Sequence, residues 1–500
     1  MTKAFSRRGF LSATGAAALT SLAGAAHAEP PTASLRPVAR GEDVRKRLQA
    51  SAEELIARAR LNGPTGFAVL DVGTGETLEA HEPRLGLPPA SVAKALTASY
   101  ALDHLGPEHR FTTRLIATGG ITDGVVAGDL VLVGGGDPTL DTDGLAEMAK
   151  AMGAAGITSV EGRFLVCGTH LTRSRSIDPA QPAHVGYNPA VSGLNLNFNR
   201  VHFEWRRGGD GYDVTMDARS GALRPAVRMA SMGVVSRKGP VYTYDDVDGR
   251  DEWTVARGAL GQGGARWLPV RKPELYAGEV FQVLAGAERV TLRAPELIDT
   301  PPEGETVASR ESAPLREILR DMLKWSTNLT AEVVGLSATR VRLGRPVALQ
   351  ESAAEMNAWA RETLGLENVA LIDHSGLGDR SRIAAVDMAR ALVAVRGRLE
   401  LKPLLKEISV KDDARRAISD HPATVRAKTG TLNFVSGLAG FIDMADGTEM
   451  AFAIFSGDLD RRAALTRAQR ERPDGARAWN ARAKILQQAL IRRWGVMHGS

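Results

Sequence analysis

Strand-like segments near both ends of the sequence constrain the fold more than any other feature. Two lie near the start and three near the end, at 66–72, 76–81, 424–434, 436–443 and 449–456. A helical pattern precedes the first group, at 41–61, and another follows the last, at 477–494. Because a sheet buries its faces against other layers, we predict an α/β/α sandwich. Its antiparallel five-stranded sheet is assembled from both ends of the chain.

The middle of the chain differs in character from its ends. From about residue 111 to residue 305, short strand-like runs are separated by Gly and Asp, with helical patches such as 142–152. Candidate helices precede and follow this region, at 91–105, 314–324, 329–343, 346–364 and 384–396. We therefore predict an α/β multidomain chain in which a core domain, 29–110 and 306–500, is interrupted by β-rich domains at 111–305.

The first 28 residues have the pattern of an export leader. Ser6-Arg7-Arg8-Gly9-Phe10-Leu11 is a twin-arginine pattern, and an apolar run rich in Ala and Gly ends in Ala26-His27-Ala28, an A-x-A cleavage signature. We expect twin-arginine export to the periplasm, with a retained N-terminal anchor as the alternative. No later segment reaches the roughly 18 uninterrupted apolar residues that a membrane span needs, so no stable span is expected.

Charge and cysteine content exclude several functional classes. The net charge is +5, but the leader holds Lys3, Arg7, Arg8 and no acid, which leaves 60 basic and 58 acidic residues. That balance gives no electrostatic reason to expect nucleic acid. Cys167 is the single cysteine, so no intramolecular disulfide is possible. Neither H-x-x-x-H nor C-x-x-C occurs, and we predict no metal and no cofactor.

Three short motifs carry the candidate chemistry, and each occurs once. They are Ser91-x-x-Lys94, Ser326-x-Asn328 and Lys428-Thr429-Gly430, the last extended by Thr431. On a helix, the first spacing places a hydroxyl and an amine on one face, one turn apart. In this order, the three motifs form the signature of active-site serine penicillin-recognising enzymes.

The chemistry of acyl transfer explains these residue types. Ser91 is the candidate nucleophile, and Lys94 can be its general base if burial and the neighbouring cation of Lys428 lower its pKa. Ser326 can pass a proton between the lysines and the leaving nitrogen. Lys428 would add electrostatic stabilisation and take part in this proton relay.

The remaining motif residues are candidates for substrate binding. Asn328 offers an amide to the substrate backbone, and Thr429 and Thr431 offer hydroxyls to a carboxylate. Gly430 would let the substrate lie close to the strand as an added edge. Backbone N–H groups of Ser91 and Thr431 would form the oxyanion hole.

Simpler interpretations stay open for the individual motifs. Ser91 could be a helix cap with Lys94 solvated, Ser326 could be a cap, and Lys428 could be a solvated strand residue. A triad reading of Asp373-His374-Ser375 is disfavoured, because consecutive residues cannot present the required chain of side chains to one another.

Longer motif blocks resemble a known family. They are Pro89–Lys94 with the pattern P-A-S-x-x-K, 128–140 with G-D-L-x-L-x-G-G-G-D-P-x-L, 373–377 with D-x-S-G-L, and 428–432 with K-T-G-T-L. In these blocks the chain resembles the class C low-molecular-mass penicillin-binding proteins, the D-alanyl-D-alanine carboxypeptidases/endopeptidases of the DacB type. The intervals agree as well, with 235 positions from Ser91 to Ser326 and 102 from Ser326 to Lys428. Thr327 departs from the small acidic or polar residue common in the family's Ser-x-Asn motif.

The resemblance implies a transpeptidase-like domain interrupted by two nested domains and a periplasmic role in peptidoglycan remodelling. It implies acylation of Ser91 by stem peptides, then hydrolysis, with β-lactam antibiotics acylating the same serine. The alternatives are a β-lactamase, disfavoured because no E-x-x-L-N follows Ser326, and a non-catalytic peptidoglycan-binding protein.

Overall fold

The computed structural model describes Lys46 and residues 49–499. The predicted leader and the start of the helix predicted at 41–61 lie outside these residues. Lys46 is helical, and among residues 49–499 the helix spans Ala52–Ala59, where the Ser51 side chain accepts a hydrogen bond from the backbone N–H of Glu54.

The central sheet is antiparallel and draws its strands from both ends of the chain, which confirms the predicted fold class. It has one more strand than predicted, because the short segment Lys406–Ile408 pairs with the outer edge of Ala423–Leu432. The strand order is Thr77–His81, Thr65–Asp71, Glu449–Gly457, Val435–Met444, Ala423–Leu432, Lys406–Ile408.

Alternation along the strands gives this sheet two apolar faces. Leu438 and Ile442 pack on one side with Trp479 and Trp494 of the C-terminal helix Ala476–His498. Ala439 and Phe441 pack on the other side with the remaining helices. Those helices are Ala93–Leu105, Leu315–Trp325, Asn328–Leu343, Leu349–Leu364 and Ala385–Arg396.

The helix Ala93–Leu105 lies within this second layer. Its residues from Ala93 to Leu102 are all buried, so it is packed on every side. We predicted that the helix begins at Ser91. Ser91 instead lies in a short 3₁₀ turn, Ala90–Val92, which leads into the helix Ala93–Leu105. A rigid, buried helix therefore holds the candidate nucleophile at the sheet.

The inserted segment contains several sheets and two long helices. Its largest sheet has the order Glu296–Ile298, Phe164–Cys167, Leu130–Val133, Thr112–Ala117, Glu305–Glu311. Two three-stranded sheets follow, Tyr212–Asp217 with Arg200–Arg207 and Gly263–Pro269, and Ala230–Val235 with Arg250–Ala256 and Tyr242–Val247. The helices Thr142–Ala154 and Pro273–Ala287 pack on them.

A short helix lies at Leu459–Ala463, and further short strands lie at Gly86–Leu87, Ile121–Thr122, Val125–Val126, Ser159–Val160, Val369–Ala370 and Arg382–Ala384. The domain boundaries stay predictions. Glu305–Glu311, which begins at the predicted boundary, pairs with Thr112–Ala117 of the inserted segment. Among the described residues, no helix is both long enough and apolar enough to cross a membrane.

Candidate active site

The turn that carries Ser91 is held tightly against the sheet. Ser91 itself is half-buried, whereas Ala90 and Val92 on either side are fully buried. Ala90 has a φ of 48°, a left-handed conformation that is uncommon for a residue with a side chain. The surrounding packing therefore fixes the backbone on which the candidate nucleophile sits.

Gly430 makes this close approach possible. A Cβ atom built on Gly430 would lie 2.5 Å from the carbonyl oxygen of Pro89 and 3.1 Å from the backbone nitrogen of Val92. Its neighbour across the strand pair, Gly437, faces the same Pro89 oxygen. The Ser91 turn therefore requires a glycine at position 430. From the sequence we predicted only a contact of Gly430 with substrate, not this packing role.

Lys94 is fully buried and lies next to Ser91. Its Nζ is 2.9 Å from Ser91 Oγ, 2.7 Å from Asn328 Oδ1 and 2.8 Å from the carbonyl oxygen of Ser375. The last two oxygens only accept hydrogen bonds. A neutral amine therefore directs its two N–H groups to them, and its lone pair is left to accept the Ser91 hydroxyl proton.

Burial lowers the pKa of Lys94 to about 8, and the negative charges of Glu332 and Asp373 oppose this shift. At that pKa a usable fraction of the amine is neutral near pH 7, as a general base requires. Near pH 7 the Lys94 amine can therefore both accept a proton and release it again.

Two buried carboxyl groups shape the loop that faces Lys94. Glu332 accepts the backbone N–H groups of His374 and Ser375, and Asp373 accepts those of Gly376 and Gly378. Burial raises the pKa of Glu332 to about 8 and raises that of Asp373 as well. These bonds hold the Ser375 carbonyl oxygen against Lys94.

His374 takes no part in a triad. Its Nε2 lies 2.8 Å from Ser352 Oγ, and its Nδ1 lies 3.4 Å from Met356 Sδ. Burial lowers the pKa of His374 to about 3. The imidazole therefore stays neutral and belongs to the packing between the helices.

Ser326 and Lys428 form a second hydrogen-bonded pair, of which Ser326 lines the cleft. Ser326 ends the helix Leu315–Trp325 with a φ of 61°, and Lys428 Nζ donates to Ser326 Oγ at 3.0 Å and to the Thr429 carbonyl oxygen at 2.7 Å. Burial and, to a smaller extent, the charge of Lys94 lower the pKa of Lys428 to about 6. At pH 7 the Lys428 amine is therefore mostly neutral.

This finding reverses one expectation. We predicted that burial and the charge of Lys428 together lower the pKa of Lys94; burial does lower it, but Lys428 is not among the causes of the shift. The repulsion between the lysines acts on Lys428, because Lys428 is the one that loses its proton first.

Asn328 connects the site to the inserted segment. Its Oδ1 accepts from Lys94, and its Nδ2 donates to the carbonyl oxygen of Tyr187 at 2.8 Å. Both ends of the amide are therefore engaged, and their partners fix its orientation. The predicted contact of Asn328 with substrate stays a prediction, whereas its contact with Lys94 was not predicted.

A cleft with a volume of about 320 Å³ brings Ser91, Ser326, Asn328 and Thr431 together. Thr429 instead lines a neighbouring pocket beside the C-terminal helix, so the two threonines do not share one cavity. Among the described residues, the strand Lys406–Ile408 pairs with its neighbour only as far as Ala427. The edge that follows Ala427 is the one the predicted substrate strand would join.

Other residues of the cleft carry no motif and were not predicted. Asp379 accepts hydrogen bonds from Arg462 and Arg470, and Glu471 pairs with His184 and Arg266 at 2.7 and 2.8 Å. The hydrogen bond from His184 is the largest cause of the low pKa of Glu471. Arg462, Arg470, Glu471, Gln181, Tyr187 and Asn433 line the cleft opposite Ser91.

Comparison with known proteins identifies the class to which this fold and site belong. The chain is a member of the D-Ala-D-Ala carboxypeptidase 3 (S13) family, whose sequence model matches residues 48–477. This match confirms the resemblance stated from the motifs.

Individual relatives are similar over most of their length. The D-alanyl-D-alanine carboxypeptidase of Actinomadura sp. (strain R39) is 26% identical over 445 residues, 81% of this chain and 80% of that one. Carboxypeptidase DacB of Mycolicibacterium smegmatis is 26% identical over 462 residues, 89% of this chain and 84% of that one. The crystal structure of penicillin binding protein 4 (dacB) from Haemophilus influenzae superposes with a TM-score of 0.68 at 21% identity, covering 85% of this chain and 98% of that one. The last comparison confirms the fold.

Proposed function

We propose that this chain is a serine DD-peptidase that cleaves peptidoglycan stem peptides through an acyl-enzyme on Ser91. The observation that carries the proposal is the buried Lys94 amine, which contacts Ser91 Oγ and two oxygens that can only accept. Family membership and the names of the relatives point to the same reaction.

The first half of the reaction forms an ester. Ser91 Oγ attacks the carbonyl carbon of the penultimate D-Ala, and its proton passes to Lys94 Nζ. The oxyanion would be held by the backbone N–H groups of Ser91 and Thr431. The C–N bond then breaks, and the proton that Lys94 took from Ser91 passes through Ser326, which Lys428 holds in place, to the leaving nitrogen, so Lys94 is neutral again.

The second half returns the enzyme to its starting state. A water molecule gives a proton to the base, and its oxygen attacks the ester carbon. The C–O bond to Ser91 breaks, and Ser91 regains its proton. The product is a peptide with a new terminal carboxylate. The leaving group is either the terminal D-Ala or the amine of a cross-linked peptide, so both carboxypeptidase and endopeptidase action are included.

The proposed place of action is the periplasm, reached by twin-arginine export. Its support is the leader pattern of residues 1–28 and the peptidoglycan substrate of the proposed reaction.

Among the described residues, no group of three or more His, Cys, Asp or Glu could hold a metal ion.

A fluorescent penicillin tests the proposal on the full mature chain. We expect stable covalent labelling that disappears in Ser91→Ala and persists in Ser309→Ala, a control at an exposed serine of the strand Glu305–Glu311. Labelling followed by rapid loss of the fluorophore would favour a β-lactamase. No labelling together with retained binding of muropeptides would favour a non-catalytic binding protein.

A further inference from the structure

A second, smaller pocket adjoins the Ser91 cleft. It has a volume of about 170 Å³ and shares Tyr187, Ser326 and Asn328 with the cleft. Its other side is formed by Trp325 and by Phe198 and Arg200 of the inserted segment. We call it the Trp325 pocket. The two cavities therefore lie side by side, with Ser326 lining both.

The rim of the Trp325 pocket is unusually aromatic for a protein surface. Trp325 is 68% exposed and Tyr187 is 45% exposed. The ammonium of Lys324 lies 4.8 Å from the centroid of the Trp325 ring, a cation–π contact that restrains the exposed indole. Large aromatic side chains that are exposed yet restrained are typical of surfaces that bind another molecule.

Arg200 adds a positive charge to this apolar rim. Its guanidinium lies 5.1 Å from the centroid of Phe198 and 5.3 Å from that of Trp267. The Nε atom is buried and has no hydrogen-bond partner among the described residues. Stacked between two rings, the group is preorganised to meet an acidic or carbonyl oxygen.

The position of Ser326 assigns this pocket to one side of the scissile bond. In the proposed reaction the leaving nitrogen receives its proton at Ser326, so the leaving group lies beside this residue. Trp325 precedes Ser326 in the chain, and both line the pocket.

We propose that the Trp325 pocket binds the leaving half of a cross-linked stem peptide. The aliphatic chain of the leaving diaminopimelate would pack on the Trp325 indole, and an acidic group of the attached peptide would meet Arg200. This inference rests on the proposed DD-peptidase function. A terminal D-Ala carries only a methyl group in place of that chain and is too short to fill the pocket. The pocket therefore favours endopeptidase over carboxypeptidase action.

Two purified muropeptides test the assignment, a disaccharide pentapeptide and a D-Ala–diaminopimelate cross-linked dimer. Both present the same acyl half to the enzyme, so the ratio of their kcat/KM values isolates the leaving half. In Trp325→Ala we expect this ratio of dimer to monomer to fall roughly five- to tenfold, the effect of losing one aromatic anchor. Trp325→Phe keeps a flat ring and should restore most of the ratio. Val341→Ala, at a residue 54% exposed on the helix that begins at Asn328, is the control and leaves the ratio unchanged.

Arg200→Met keeps much of the side-chain volume and removes the charge. We expect it to lower the same ratio, with a circular-dichroism melting curve to verify that the fold is intact. An unchanged ratio in a folded Arg200→Met chain would overturn the role given to the acidic group.

Other outcomes overturn the assignment as a whole. Equal losses on both muropeptides in Trp325→Ala would mean that the pocket binds the acyl half or its sugars. No loss on either substrate would mean that the pocket binds neither half. Failure of the unaltered chain to cleave both muropeptides would instead overturn the proposed function, and the assignment with it.

Discussion

Lys94 and Lys428 each contact a serine that lines the cleft, Ser91 and Ser326, and their surroundings differ in one respect. Both are almost completely buried, with 0% and 2% of their surface exposed. Glu332 and Asp373 act on Lys94 and hold its pKa near 8, whereas no carboxylate opposes the fall of the Lys428 pKa to about 6. Near neutral pH Lys94 is therefore the more protonated of the two amines.

This difference separates the chemistry of the two amines. Lys94 lies near its pKa and contacts the hydroxyl that must lose a proton, so it is suited to be the base. Lys428 is mostly neutral and contacts Ser326, so it can accept and return a proton on the leaving-group side. Two lysines in one site thus acquire separate roles because their pKa values differ, about 8 for Lys94 and about 6 for Lys428.

The largest effect is expected for Lys94→Ala. Loss of the base should lower the rate constant of acylation by a penicillin roughly 10³- to 10⁴-fold, near the upper range for general-base catalysis. Stopped-flow or gel-based labelling with a fluorescent penicillin measures this rate. A loss of less than about tenfold would mean that another group deprotonates Ser91.

Lys428→Ala should have a smaller effect on the same rate. Ser326 loses the donor that holds its hydroxyl, and we expect roughly a 10²-fold decrease in acylation with the fold intact. Far-ultraviolet circular dichroism provides the folding control. Unchanged acylation in a folded Lys428→Ala chain would contradict the relay assigned to Ser326 and Lys428.

The two lysines should also differ in their effects on stability. The folded-state pKa of Lys428 lies below its value of about 10.4 in an unfolded chain, so folding releases a proton between these pH values and the fold is destabilised at pH 7. Lys428→Met should therefore raise the free energy of unfolding at pH 7 by about 1–3 kcal/mol, a gain that shrinks as the pH approaches 10.

Lys94→Met should have the opposite sign, because the pKa of Lys94 falls less far than that of Lys428 and because Glu332 and Asp373 lose their positively charged neighbour. It leaves Asn328 Oδ1 and the Ser375 carbonyl oxygen without their donor, which costs about 1–3 kcal/mol. Urea unfolding of both variants measures the two values. Equal changes in both would show that the carboxylates do not distinguish the two lysine sites.

The sequence predicted the sandwich because its signals are local. Apolar alternation in the strands and the single occurrence of each motif were enough to propose which segments meet. The added edge strand Lys406–Ile408 has only three residues, too few for a period to be recognised. The 3₁₀ turn at Ala90–Val92 was not predicted, because the proline and alanine before Ser91 permit either kind of helical start.

The polar surroundings of Lys94 were harder to predict than the motifs. Glu332 lies four positions after Asn328, so helical spacing alone could have placed both on one face. Asp373 was part of a quoted motif, but no role was assigned to it. Tyr187, Arg462 and Arg470 reach the cleft from distant segments, and no spacing rule relates them to Ser91.

The pH dependence of acylation tests most directly whether Lys94 is the base. With a penicillin whose own charge is constant over the range, the acylation rate of the unaltered chain should rise with pH through an apparent pKa of about 8. The rise with the same apparent pKa should remain in Lys428→Met, at a lower overall rate of acylation. A rise centred near pH 6 in the unaltered chain that disappears in Lys428→Met would contradict this assignment, because it would make Lys428 the group that must lose its proton.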